Sequence, residues 1–148
     1  AGRAGPLSIG LLSKPPAKGV MDAAGAGDLV LLRSLVESVG LIASAGVDLN
    51  ARDLQGKTAL MYAVTSGSKA VVEYILKRRT DVNAVDTSTK SALHHVSKRA
   101  RARRAAEFDA EQQEIVRLLL AYRAILESRD GNGCTPLMLA VANGDEAV

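Results

Sequence analysis

Identical residues recur in this chain at a fixed interval. Asp53 and Asp86 are 33 residues apart, as are Asn50 and Asn83, and Leu60 and Leu93. Asp86 to Asp130 and Leu93 to Leu137 are 44, which is 33 plus 11. A unit of this length is one supersecondary element that cannot enclose its own apolar face, so it must stack on copies of itself. The best-formed copy is Asp53 to Val85. Asp53 and Gly56 suit a tight turn, because Asp bonds its own backbone two residues on and Gly accepts positive φ. Thr58 can cap a first helix whose Leu60, Ala63 and Val64 form an apolar stripe, and Gly67 ends it. Ser68 can cap a second helix with a second stripe, Val71, Val72, Ile75 and Leu76. Asp81-Val82-Asn83 leads into the next turn. Neither helix is long enough to be stable alone in water.

Four copies follow a leader spanning residues 1–16, at about 17–52, 53–85, 86–129 and a partial 130–148. The leader holds Leu7, Ile9, Leu11 and Leu12 among glycines and reads as flexible, or as a short apolar segment that docks on the open end of the stack or on a partner. It lacks the pattern of a signal peptide. In the first copy Val20, Ala23 and Gly27 stand where Leu60, Ala63 and Gly67 do, and Leu31, Leu32, Leu35 and Val36 where Val71, Val72, Ile75 and Leu76 do. Seven extra residues between Val36 and Val47 are close to two helical turns. They predict a lengthened second helix with Gly40 inside it and Val39 and Ile42 on the buried face, or else a loop.

The third copy departs twice. Thr89 stands where Gly56 does, which strains the turn or changes its type. Ala100 replaces the stop glycine and 11 extra residues follow. Nothing from Ser91 to Ala106 breaks a helix, so the first helix is expected to run on, with Asp109 and Gln112 as a capping box restarting the second. Its Ile115, Val116, Leu119 and Leu120 match Val71 to Leu76. The insertion then projects as a helical hairpin. The fourth copy opens with Asp130-Gly131-Asn132-Gly133 and continues through Leu137, Met138, Ala140 and Val141 to Gly144. It stops soon after, which leaves an apolar flank for further repeats or for self-association through this end.

The pattern D-x-x-G-x-T-x-L-x-x-A, then G, V-V-x-x-I-L and D-V-N resembles the ankyrin repeat. The resemblance implies an all-α solenoid of stacked helix-turn-helix units, with the hairpin inserted in the third repeat. It also implies a non-catalytic scaffold that binds another protein. In this family partners meet the concave face of turn tips and first helices. Carried over by position, that face holds Arg52, Leu54, Gln55, Lys57, Thr65 and Ser66, then Val85, Thr87, Ser88, Lys90, Lys98 and Arg99. The last copy adds Arg129, Gly131, Asn132, Cys134 and Asn143. Its charges are basic, which points to an acidic or phosphorylated protein partner. Arg79 and Arg123 occupy the glycine position that ends the second helix in this family, where each forfeits a favourable left-handed cap.

Lys98, Arg99, Arg101, Arg103 and Arg104 put five cations in seven residues. Three readings stand: a solvated hairpin paired with Glu107, Asp109, Glu111 and Glu114; a site for an acidic protein; or binding to nucleic acid or a nuclear-import factor. Against nucleic acid, the net charge is only +3 and aromatics are 3% of residues. His94 falls at the histidine of the family's T-P-L-H motif, with a role inside the turn, although Ser91 replaces the Thr. Adjacent His95 cannot share its helical face, so neither a metal nor any cofactor is expected. The single Cys134 allows no internal disulfide and has no base at a recognisable spacing, in keeping with a reducing compartment, cytoplasmic or nuclear. At 47% hydrophobic the chain can bury a core, yet no uncharged apolar run reaches the roughly 18 residues of a membrane span.

Overall fold

The computed structural model describes residues 17–42, 47–96 and 105–143. They form seven α-helices: α1 Ala17–Ala26, α2 Leu29–Ile42, α3 Ala59–Ser66, α4 Lys69–Leu76, α5 Ala92–Val96, α6 Ala105–Ala121 and α7 Pro136–Asn143. Extended pairing among the described residues is a single antiparallel bridge, Val85 to Ser91. The architecture is the expected all-α solenoid. Helix α1 packs on α2 and α3, α3 on α4 and α5, and α5 on α6 and α7, while α2 meets α4 and α4 meets α6. Each pair therefore lies against the next in sequence order.

The stripes read from the sequence become the core. Val20, Ala23 and Leu32 are buried from the first pair, Leu60, Ala63, Val64, Val71, Val72, Ile75 and Leu76 from the second, and Leu93, Val96, Ile115 and Leu119 from the third. Burying a side chain of Val or Leu size contributes about 1.5–3 kcal/mol, so these faces outweigh the weak propensity of helices this short. Thr58 caps α3 by accepting the Met61 amide at 3.4 Å, and Gly67 closes it at φ 77°. Helix α2 continues through Ser38 and Gly40 to Ile42, so the extra residues lengthen the helix; the side chains of Val39 and Ile42 lie outside the described residues. Asp28 caps this helix, its carboxylate accepting the Leu31 amide at 2.9 Å.

Two expectations are corrected. Ser68 stands at the start of α4 but makes no side-chain capping bond. Instead the Ser66 hydroxyl organises this loop, donating to the Ala63 carbonyl at 2.7 Å and accepting the Ser68 amide at 3.3 Å. Asp109 and Gln112 form no helix start, because α6 is already helical from Ala105. Gln112 is buried and its amide nitrogen donates to the Val96 carbonyl at 3.1 Å, tying α6 to the end of α5. A helix that begins upstream has no free first-turn amides at these positions for a capping box to satisfy. The proposed extension of the first helix beyond Val96, residues 97–104, lies outside the described residues, as does the leader.

Neighbouring units are also stitched by hydrogen bonds. The Thr87 amide donates to the Gln55 carbonyl at 3.0 Å and the Gly131 amide to Ser88 at 2.9 Å. Asn50 accepts the Asp81 amide at 2.8 Å, and Asn83 accepts that of Ile125 at 2.9 Å while donating to the Arg123 carbonyl at 3.1 Å. The period in sequence is thus a spatial register.

Candidate protein-binding face

Three turns align along one edge, and each is built around an aspartate. One carboxylate oxygen of Asp53 accepts the amides of Gln55 and Lys57 at 2.9 and 2.8 Å. Asp86 does the same for Ser88 and Lys90 at 2.8 and 3.0 Å, and Asp130 for Asn132 and Cys134, both at 2.9 Å. The second oxygen differs from turn to turn. Tyr62 donates its hydroxyl to Asp53 at 2.6 Å, and His95 faces Asp86 through Nε2 at 2.9 Å. Tyr62 and His95 are 33 residues apart, each nine after its aspartate, a register the sequence displayed without being read for it. Leu139 has this place in the fourth copy. There the buried Asp130 Oδ2 accepts no hydrogen bond among the described residues, and Lys90 Nζ stands 4.0 Å away.

The electrostatics follow from these contacts. Burial raises the Asp53 and Asp86 carboxyls, but the opposing hydrogen bonds win and both lie below the usual value. The Cys134 amide is the main cause of the same direction at Asp130. The bond to Asp53 pushes the Tyr62 hydroxyl up to about 12. Burial pulls His95 down against the attraction of Asp86, keeping its imidazole neutral further into acid. His94 is buried: its Nδ1 accepts the Ser91 amide at 3.2 Å, which leaves the proton on Nε2 to donate to the Cys134 carbonyl at 3.1 Å. The imidazole therefore joins the third unit to the fourth.

The residues assigned to the face fall into distinct environments. Leu54 is fully exposed at 103%, and Gln55, Thr87, Ser88, Gly131 and Asn132 are exposed beside it. Arg52 donates to the Val85 carbonyl at 2.7 Å and Arg129 to that of Gly133 at 2.9 Å, so both guanidinium groups are fixed along the turns. Lys57 lies over the Tyr62 ring, 5.6 Å from its centre. Lys90 is drawn inward to Asp130, its side chain 25% exposed. Thr65 and Ser66 return their hydroxyls to carbonyls of their own helix. Val85 and Cys134 are half-buried, and Asn143 is the last residue of α7. Lys98, Arg99, Arg101, Arg103 and Arg104 lie outside the described residues. Of the acids expected to face them, Glu114 is held elsewhere, 3.3 Å from Lys69 and 2.7 Å from Arg117.

At the far end Leu137, Met138 and Val141 are 52%, 49% and 72% exposed, while their counterparts Leu60, Met61 and Val64 are buried. Among the described residues no group of three or more His, Cys, Asp or Glu is placed to hold a metal ion. No helix among them is long and apolar enough to cross a membrane.

Comparison with known proteins agrees with this geometry. Residues 20–108 match a family model of ankyrin repeats in three copies, and residues 102–148 one of ankyrin repeats in many copies. The chain is similar to protein fem-1 homolog A-like of Mus musculus, 31% identical over 104 residues. It is also similar to protein lin-12 of Caenorhabditis elegans, 31% over 100, and to the E3 ubiquitin-protein ligase Ufd4 of Drosophila melanogaster, 35% over 96. These alignments cover 70%, 68% and 65% of this chain but only 14%, 6% and 3% of the respective relatives. The shared part is the repeat array, a scaffold for protein–protein interaction. With its stacked helix pairs, aspartate turns and matched sequence, the chain belongs to the ankyrin-repeat family.

Proposed function

We propose that this array binds an acidic or phosphorylated segment of another protein, without catalysis, through the face of turn tips and first helices. The observation that supports this reading is where the acids of that face go. Asp53, Asp86 and Asp130 each turn a carboxylate oxygen onto two amides of their own turn, and Arg52, Lys57, Lys90 and Arg129 stand beside them as the cations of the face. Clustered charges of one sign steer an oppositely charged partner and raise its rate of encounter. Replacing Lys57 and Lys90 together by Gln removes two of these charges. Association of the chain with a polyglutamate of about 20 residues should then slow several-fold and lose part of its salt dependence. An unchanged rate and salt slope in a variant with native thermal stability would rule this face out.

The uncovered flank of α7 supports a second contact, self-association, because three of its apolar side chains are about half exposed or more. Sedimentation equilibrium should show a concentration-dependent mass that Leu137→Ser with Val141→Ser abolishes; a monomer at all concentrations would dismiss it.

A further inference from the structure

Away from the turn-tip face, the ends of α4 and α6 carry an unexplained backbone choice. Arg79 and Arg123 both adopt the left-handed conformation, at φ 57° and 67°. Glycine adopts it without strain, whereas a long side chain does so at a cost. The chain itself places Gly46 at this register in its first copy, ahead of Val47-Asp48-Leu49-Asn50, where Arg79 precedes Thr80-Asp81-Val82-Asn83. Two successive repeats thus replace an unstrained residue by a strained cation. Both side chains are exposed, and neither makes a hydrogen bond or ion pair among the described residues. Packing therefore gives no reason for arginine here, and a persistent outlier of this kind points to a ligand.

The neighbours are of matching character. Lys77 and Arg78 precede Arg79; Lys77 is bound to Glu73 at 2.7 Å, and Arg78 stacks 4.2 Å from the Tyr74 ring centre. Tyr122, 40% exposed, precedes Arg123. Helix α4 packs on α6, and packed helices generally run about 8–10 Å apart. An extended peptide advances about 3.3 Å per residue, so acids three residues apart match that interval.

We infer that Arg79 and Arg123 form a second binding edge, for an extended protein segment with a carboxylate or phosphate at every third residue. Each guanidinium donates a forked pair of charge-assisted hydrogen bonds to one acid, and the stacked repeats set the spacing. This edge shares no residue with the turn-tip face and stands or falls independently of it.

The test is fluorescence anisotropy with a labelled (Glu-Gly-Ser)5 peptide and the 148-residue chain. Arg79→Gly with Arg123→Gly should weaken binding about tenfold or more and raise the melting temperature by a few degrees, because the strain is relieved. Arg79→Lys with Arg123→Lys keeps the charge but not the forked geometry and should recover only part of the binding. The Lys57→Gln, Lys90→Gln variant should bind within about twofold of the parent. A glycine variant that melts higher yet binds as before would overturn the proposal. Loss of binding in the Lys57→Gln, Lys90→Gln variant with none in the glycine variant would also overturn it and assign the peptide to the turn-tip face. Tighter binding of an oligouridylate of equal charge, lost in the glycine variant, would overturn the protein partner in favour of nucleic acid.

Discussion

Thr89 holds φ 59° at the position where Gly56 holds 73° and Gly133 78°. Its turn is nonetheless kept, with the Thr89 amide 2.9 Å from the Asp86 carbonyl. A β-branched residue in this region costs of order 1 kcal/mol or more. Thr89→Gly should therefore stabilise the chain by about 1 kcal/mol in urea unfolding, and Gly56→Ala should do the reverse by more. A Cβ at Gly56 would meet the Thr87 backbone nitrogen at 3.0 Å in addition to the strained φ. The Asp86 and His95 pair carries a pH prediction. Burial holds the His95 pKa below its ordinary 6.5, so the unfolded chain binds more protons as the pH falls past that value. Stability contributed by neutral His95 is present above pH 6.5 and is lost as acid approaches the folded pKa. The Asp86 contribution is present above 3.8 and lost at lower pH still. His95→Tyr, which copies the Tyr62 arrangement, should abolish the upper decline in a melting-temperature profile and leave the lower one. At this scale Thr58 and Gly67 were legible because a cap needs only local chain. The missing cap at Ser68 and the inward turn of Lys90 were not, since a neighbouring loop and a neighbouring repeat decide them.

The helices show how one pattern acquires different worth from its surroundings. Leu119 is fully buried and Leu120, the next residue, is 37% exposed, although their counterparts Ile75 and Leu76 are both buried. Leu119→Ala should cost about 2–5 kcal/mol, and Leu120→Ala well under half of that, measured by denaturant midpoint. The asparagine links rank similarly. Asn83→Ala removes two bonds to the following loop and should cost about 1–3 kcal/mol; Asn50→Ala removes one bond across units and should cost less. Stripe positions and the lengthened α2 were readable from spacing. The start of α6 was not: Asp109 has capping chemistry in any context, and only the helix already formed upstream at Ala105 makes it an interior residue.

For the molecule, nearest-neighbour packing means that each pair depends on the one beside it and that the ends differ from the middle. Leu137, Met138 and Val141 of α7 are exposed where their counterparts in the second copy are buried. The amino-acid order by itself determined the repeat, its length, its turns and the identity of the buried faces, because a period of 33 with helical stripes has one economical way to hide oil from water. Tertiary structure alone drew Lys90 toward a carboxylate in the next copy, with its side chain a quarter exposed. It alone set Arg79 and Arg123 in the left-handed conformation with their side chains exposed. The reason is range: turns and stripes arise from contacts within a few residues, whereas charge pairing and surface alignment depend on atoms that only stacking brings together.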